Sequence, residues 1–379
     1  MQPMNRLRLL HDAGQSIWLD FIDREILRNG ELERRIAEDS LTGMTSNPTI
    51  FEKAMAEGTA YDEQLASAPA ALTPWDLFEL VETDDVRSAC DMFGAVHQES
   101  GGGDGFVSIE VSPGSAHDTD ATVVEACRLW AMVGRPNVMI KVPGTPEGAR
   151  AVRTLIADGV NVNITLLFSR DAYSEVIEAY LGGLEDRIAA GKPIHQLSSV
   201  ASFFVSRVDT EVDKRIEALL ANASPDVAAR LEKLRGRVAV ANAKLAYALF
   251  RERFSGPRWE ALAAQGARLQ RPLWASTSTK NPAYRDVMYV EDLIGPDTVN
   301  TMPPATIEAF RDHGVVKRTV DANLDAERAI VAELESLGIS LESVTDKLLA
   351  DGLTSFAKSF DSLIARIEAK TGELAKAEG

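Results

Sequence analysis

Short apolar runs recur along this chain, each followed by a longer stretch whose apolar residues repeat at helical spacing. Eight runs, at 16–22, 41–47, 105–111, 137–142, 160–168, 199–205, 272–277 and 297–302, read as β-strands. Several are apolar almost throughout, the pattern of a strand covered on both faces in a parallel sheet under helices. Alternation of strand and helix predicts βα units. Eight such units in about 300 residues fit a closed (β/α)8 barrel of the TIM type better than an open sheet.

The excess length falls in three places. After the second strand, Thr73-Pro74-Trp75-Asp76 predicts a helix start, with Thr73 as N-cap and Pro74 at the first helical position; the helix runs toward His97. After the sixth strand come two or three more helices, among them residues 225–253. After the eighth, residues 307–379 read as a helical extension that includes 341–370. Its segment 359–370 gathers Phe360, Leu363, Ile364 and Ile367 on one face, to pack on the barrel or against a second copy. With no low-complexity linker, 1–379 reads as one domain.

Side chains alternate across a strand, so parity sorts residues by face. Ile17, Leu19, Val107, Ile109, Val138, Ile140, Val142, Val162 and Ile164 belong to an apolar face suited to lie beneath the helices. The other face collects Trp18 and Asp20; Thr45 and Asn47; Ser108 and Glu110; Met139 and Lys141; Asn161, Asn163 and Thr165; Ser202 and Phe204; Trp274 and Ser276. Polar groups thus converge where the strands end, the end at which such barrels build active sites.

Lys141 stands out. Pro136-Asn137-Val138-Met139-Ile140-Lys141-Val142-Pro143 is otherwise a buried strand, and burying an ammonium is costly unless its charge is paired or lost. Burial disfavours the charged form and yields a neutral amine able to attack a carbonyl and form a Schiff base. The plainer alternative is a strand-end lysine whose stem packs while its head reaches water. Asp20 and Glu110 are the strand-end acids available for the proton transfers that imine chemistry requires. Asn47 and Asn163 can bind sugar hydroxyls without adding charge, and Thr165 is placed to hold a water against Glu110. Arg207 and Lys280, just past the sixth and seventh strands, suit an anionic group such as phosphate. The alternative for Arg207 is an ion pair with Asp209 or Glu211.

Composition narrows the class. The net charge of −17, with 40 basic against 57 acidic side chains and no extended basic stretch, argues against a nucleic-acid partner. No apolar run is long enough for a membrane span, and residues 1–10 do not read as a secretory signal. Cys90 and Cys127 are too few for a disulfide framework and fit core thiols in a cytoplasmic protein. The five histidines show no paired metal-ligand spacing, and no GxSxG occurs. Gly101-Gly102-Gly103-Asp104-Gly105 lacks the ending of a phosphate loop and reads as a flexible turn.

Taken together, Trp18-Leu19-Asp20, Thr45-Ser46-Asn47-Pro48-Thr49, Ser108-Ile109-Glu110-Val111, Ile140-Lys141-Val142-Pro143, Asn163-Ile164-Thr165-Leu166-Leu167-Phe168-Ser169 and Ser202-Phe203-Phe204-Val205-Ser206-Arg207 resemble the transaldolases, in order and over most of residues 15–280. The length and C-terminal helices resemble that family's longer bacterial branch. The resemblance implies a Schiff-base lysine at Lys141 and an acid/base aspartate at Asp20. It places the water-holding pair at Glu110 and Thr165, the hydroxyl-binding asparagines at Asn47 and Asn163, and phosphate binding at Ser202 and Arg207. It implies sugar-phosphate substrates, transfer of a dihydroxyacetone unit, no metal and no cofactor. Ser276 and Lys280 lie in a loop longer than the family's short-chain members carry there. Glu110 and Phe204 favour transfer over simple cleavage, since related fructose-6-phosphate aldolases lack the glutamate and carry a tyrosine near Phe204. Two other readings stay open: an aldolase that releases free dihydroxyacetone, and an inert sugar-phosphate sensor. So does the oligomeric state, monomer or homodimer.

Overall fold

The structure is a computed structural model that describes residues 5–56, 59–69 and 71–377. Eight strands, β1 (Gln15–Asp20), β2 (Leu41–Thr45), β3 (Phe106–Glu110), β4 (Val138–Pro143), β5 (Val162–Leu167), β6 (Ser199–Phe204), β7 (Gln270–Ala275) and β8 (Thr298–Met302), close in sequence order into a parallel barrel. This is the (β/α)8 architecture expected from the alternation. Strands end earlier than the apolar pattern suggests at several tops, so Ser46, Asn47 and Val205 lie in loops over the barrel mouth.

The connection between β2 and β3 carries helices Pro48–Ala56, Asp62–Ser67, Pro74–Met92 and Gly94–Glu99. Thr73 caps the third of these as its sequence foretells: its hydroxyl accepts from the Asp76 N–H at 3.2 Å, and the Asp76 carboxylate accepts from the Thr73 N–H at 2.8 Å. The stretch 225–253 is two helices, Pro225–Glu232 and Val238–Arg253. The break holds Gly236 at φ +66°, a left-handed turn over the ring of Tyr284 that a β-carbon would strike at 2.7 Å.

Two further departures from the sequence pattern bear on the site. Trp274 does not share a face with the cavity. Its ring meets Phe203 edge-on at 6.3 Å, Phe203 in turn packs on Tyr173 of helix Arg170–Ala189, and the indole N–H donates to the Leu293 carbonyl at 3.1 Å. Ala275 is the cavity residue of β7. Ser276 nevertheless reaches the cavity, because its backbone turns to φ +55° and breaks the alternation after the strand ends. The glycine-rich turn, for its part, is pinned. Arg268 donates to the carbonyls of Gly101, at 2.7 Å, and Gly102, at 2.5 Å, and Arg271 to that of Gly103 at 3.1 Å. Asp104 beside it accepts from the indole of Trp18 at 2.9 Å and from Ser16, closing the end of the barrel away from the site.

After β8, helix Pro304–His313 packs on the strand, and helices Leu324–Ser336 and Leu341–Ala377 follow. The last lies against helices Pro48–Ala56, Asp62–Ser67, Pro74–Met92 and Ser206–Leu220, and against β5. Phe360, Leu363 and Ile367 join the core, so the apolar face foreseen for this segment packs on its own barrel. Among the described residues, no helix is long and apolar enough to cross a membrane.

Candidate active site

Neighbouring strands place the site residues side by side. Asp20 is in register with Thr45, Glu110 with Lys141, Lys141 with Asn163, and Pro143 with Thr165. Lys141 is buried, 5% exposed, and lines a cleft of about 310 Å³ at the C-terminal end of the barrel. Its Nζ donates to the Ser46 carbonyl at 2.9 Å and lies 2.9 Å from Glu110 Oε2. Glu110 Oε2 has no other partner among the described residues, so charge holds the pair together. A lysine placed this deep is therefore paired rather than bare, which answers the cost of its burial.

Burial pushes the Glu110 carboxyl above the usual range, while the lysine charge pulls it back down. Behind it, on helix Pro74–Met92, burial and then the neighbouring Glu110 push the Glu82 carboxyl well up. A carboxyl raised in this way holds a proton more readily than an exposed one.

Asp20 is fixed by a hydroxyl relay. Thr45 Oγ1 donates to Asp20 Oδ1 at 2.8 Å and lies 2.7 Å from Thr301 Oγ1. With its proton committed to Asp20, Thr45 accepts from Thr301. Asn163 is fully buried behind the cleft. Its amide donates to Ser108 Oγ at 3.0 Å, and its carbonyl accepts from Ser202 Oγ at 2.7 Å. Thr165 lines the cleft with a buried hydroxyl that has no partner among the described residues. Asn47 caps the following helix, its Oδ1 accepting from the Ile50 N–H at 3.0 Å, which leaves its amide to face the cleft.

Cations also gather in the cleft, which Arg207, Lys280 and Lys53 line together. Arg207 lies with its guanidinium 5.1 Å from the centroid of Phe204, whose ring packs on Phe168 at 5.2 Å. Neither alternative partner reaches Arg207. Asp209 accepts from the Ala239 N–H at 2.8 Å and the Tyr289 hydroxyl at 2.9 Å, and Glu211 accepts from Arg215 at 2.9 Å. Burial lowers the basicity of Arg207, partly offset by Asp20 and Glu110. Lys280 donates to Ser278 Oγ at 2.6 Å, and burial, followed by repulsion from Arg207, lowers its ammonium. A second lysine, Lys53, adds to that repulsion and lines the same cleft. Ser276 faces this cluster, its hydroxyl 3.0 Å from that of Ser206. Crowded like charges of this kind gain stability when an anion arrives.

Of the residues singled out from sequence, Asp20, Asn47, Lys141, Thr165, Ser202, Phe204, Arg207, Ser276 and Lys280 line the cleft. Glu110 and Asn163 lie behind it, one against Lys141 and one against Ser202. The sequence pattern did not single out Lys53, Thr301 and Phe356, all of which line it. Two of these had a signal. Lys53 follows Thr49 by one helical turn, and Thr301 is in register with the inward Trp18. Phe356 had none, because only the path of the last helix brings it to the cleft.

Residues 17–367 match the family described as Transaldolase/Fructose-6-phosphate aldolase. A transaldolase of Thermobifida fusca is 48% identical over 363 residues, 95% of this chain and 97% of the relative. A transaldolase of Trichodesmium erythraeum is 46% identical over 374 residues, covering 98% of both chains. One from Mycolicibacterium paratuberculosis is likewise 46% identical with 98% of both chains covered.

Proposed function

The chain belongs to the transaldolase/fructose-6-phosphate aldolase family and is a transaldolase, and from that premise we propose how its side chains divide the work. The donor is a ketose phosphate, sedoheptulose 7-phosphate or fructose 6-phosphate. The acceptor is an aldose phosphate, glyceraldehyde 3-phosphate or erythrose 4-phosphate, in a cytoplasmic non-oxidative pentose phosphate route. The observation that carries the reading is that Lys141, its Nζ 2.9 Å from Glu110, lines the same cleft as Arg207 and Lys280.

The phosphate is held by Arg207 and Lys280, with hydroxyls of Ser276 and Ser202 nearby, which directs the ketose carbonyl toward Lys141. Glu110 takes the proton that Lys141 sheds before attack. The amine adds to the carbonyl, and Glu110 and Thr165 manage the water lost as the imine forms. Asp20 removes the proton of the C4 hydroxyl, the C3–C4 bond breaks, and its electrons pass into the imine as an enamine. The aldose phosphate departs. An acceptor aldehyde then takes up the enamine carbon, and Asp20 returns its proton to the new hydroxyl. Thr45, fixed to Asp20 at 2.8 Å, keeps that carboxylate aimed at the bond being broken. Water finally frees the product from Lys141.

An aldolase would release dihydroxyacetone from fructose 6-phosphate without an acceptor, whereas a transferase stalls until one is added. Turnover of fructose 6-phosphate is expected to depend on erythrose 4-phosphate. Equal turnover with and without it would establish the aldolase reading instead.

A further inference from the structure

The cleft that holds Lys141, Asp20 and Arg207 has an apolar side chain over it that no strand supplies. Phe356, midway along helix Leu341–Ala377, lines that cleft and is 6% exposed. The helix is fastened on both sides of it. Toward its start, Gly352 lies so close to β5 that a β-carbon there would sit 2.9 Å from Cδ2 of Leu166. Val344 and Leu348 are buried, and Arg215 of helix Ser206–Leu220 donates to the Ser343 hydroxyl and carbonyl, each at 3.1 Å. Toward its end, the Ser359 hydroxyl lies 2.8 Å from that of Thr49, and Ser362 donates to Glu52 at 2.6 Å. The ring of Phe360 packs 4.8 Å from that of Trp75 and meets Phe78 edge-on at 5.6 Å. The helix thus spans the mouth of the barrel as a strap, and Phe356 hangs from it into the site.

We infer that Phe356 is the roof that keeps water from the three-carbon enamine on Lys141, and so sets how often that unit reaches an acceptor rather than escaping as free dihydroxyacetone. This rests on the Schiff-base role of Lys141. The loss it prevents has a definite course. The enamine carbon takes a proton, restoring the imine. Water adds to the imine carbon, the bond from that carbon to nitrogen breaks, and dihydroxyacetone leaves with the lysine amine regenerated. Each step draws on water or a proton carried by it, and a ring packed over the cleft excludes both. Phe356 exchanges no proton itself; it acts by shielding.

The test uses the full chain as wild type, Phe356→Ala and Phe356→Leu, with fructose 6-phosphate as donor and erythrose 4-phosphate as acceptor. Free dihydroxyacetone and sedoheptulose 7-phosphate are measured together, and borohydride trapping is run alongside. Phe356→Ala is expected to raise the ratio of free dihydroxyacetone to transfer product about tenfold. Phe356→Leu, which keeps apolar bulk, is expected to raise it less, with an adduct trapped on Lys141 in all three proteins. Adducts in all three with an unmoved ratio, even if both rates fall together, would overturn the roof alone. Failure to trap any adduct in the wild type would overturn the role of Lys141, and the roof with it.

Discussion

Glu110 Oε2 stands 2.9 Å from Lys141 Nζ, on adjacent strands in direct register, and both side chains are almost fully buried. A lysine here does not float in an apolar strand. It is delivered with a carboxyl whose own tendency to hold a proton is raised by burial and restrained by the lysine. In the proposed mechanism the lysine sheds a proton before attack, and this carboxyl stands 2.9 Å away to receive it.

Replacing that carboxyl with an amide removes the proton acceptor but keeps the shape. Glu110→Gln is expected to lower kcat by about 10²–10⁴, the range of a general acid/base group, and to slow borohydride trapping in parallel. A variant with undiminished trapping would assign the proton transfer elsewhere.

Thr45 should matter through Asp20 rather than through substrate. In Thr45→Val the donor to Asp20 Oδ1 and the link to Thr301 are both lost while the side-chain shape is retained. A drop in kcat of about tenfold with KM little changed is expected, that being the cost of one hydrogen bond to a charged group. A change confined to KM would place Thr45 in substrate binding instead.

Among the described residues no carboxylate or carbonyl accepts from Arg207, and the proposed function gives its fork to phosphate. Loss of a charge-assisted bond costs about 1.5–3 kcal/mol. Arg207→Ala is therefore expected to raise KM for fructose 6-phosphate by about 10–100-fold. Lys280→Ala, which removes a flexible point charge at the rim of the cleft, is expected to do so less. Turnover of unphosphorylated fructose should be unaffected by either change, and equal losses on both sugars would remove the phosphate assignment.

Asp209 gives a pH signature in stability. Burial raises its carboxyl from 3.8 to about 7, against the pull of the hydrogen bonds from Ala239 and Tyr289. The folded chain then holds a proton that the unfolded chain releases. The contribution is complete below pH 3.8 and is lost as pH rises through about 7, amounting to at most about 4 kcal/mol. Asp209→Asn is expected to flatten the fall in unfolding free energy between about pH 4 and pH 7, measured by urea titration. An unchanged slope would contradict the buried, protonated assignment.

Much of this site was legible because strand parity is a strong constraint. Asp20, Glu110, Lys141 and Thr165 follow from alternation alone; register sets Glu110 beside Lys141, and Asp20, Lys141 and Thr165 line one cleft. Parity failed at β7, where Trp274 points to the helices and a left-handed Ser276 re-aims the chain. No periodicity announces a positive φ at a serine. The glycine-rich turn looked flexible because its restraint comes from Arg268 and Arg271, more than 160 residues away in sequence. Phe356 belongs to the same class. A phenylalanine on a helix predicts burial, but what it is buried over depends on where the helix crosses the barrel.

The central claim is that Lys141 is the covalent nucleophile, and reductive trapping tests it most directly. The protein is treated with fructose 6-phosphate and borohydride, digested, and the modified peptide identified by mass. A three-carbon adduct on the peptide carrying Lys141, absent from Lys141→Met, is the predicted result. An adduct on Lys53 or Lys280, or no adduct from an active preparation, would contradict it.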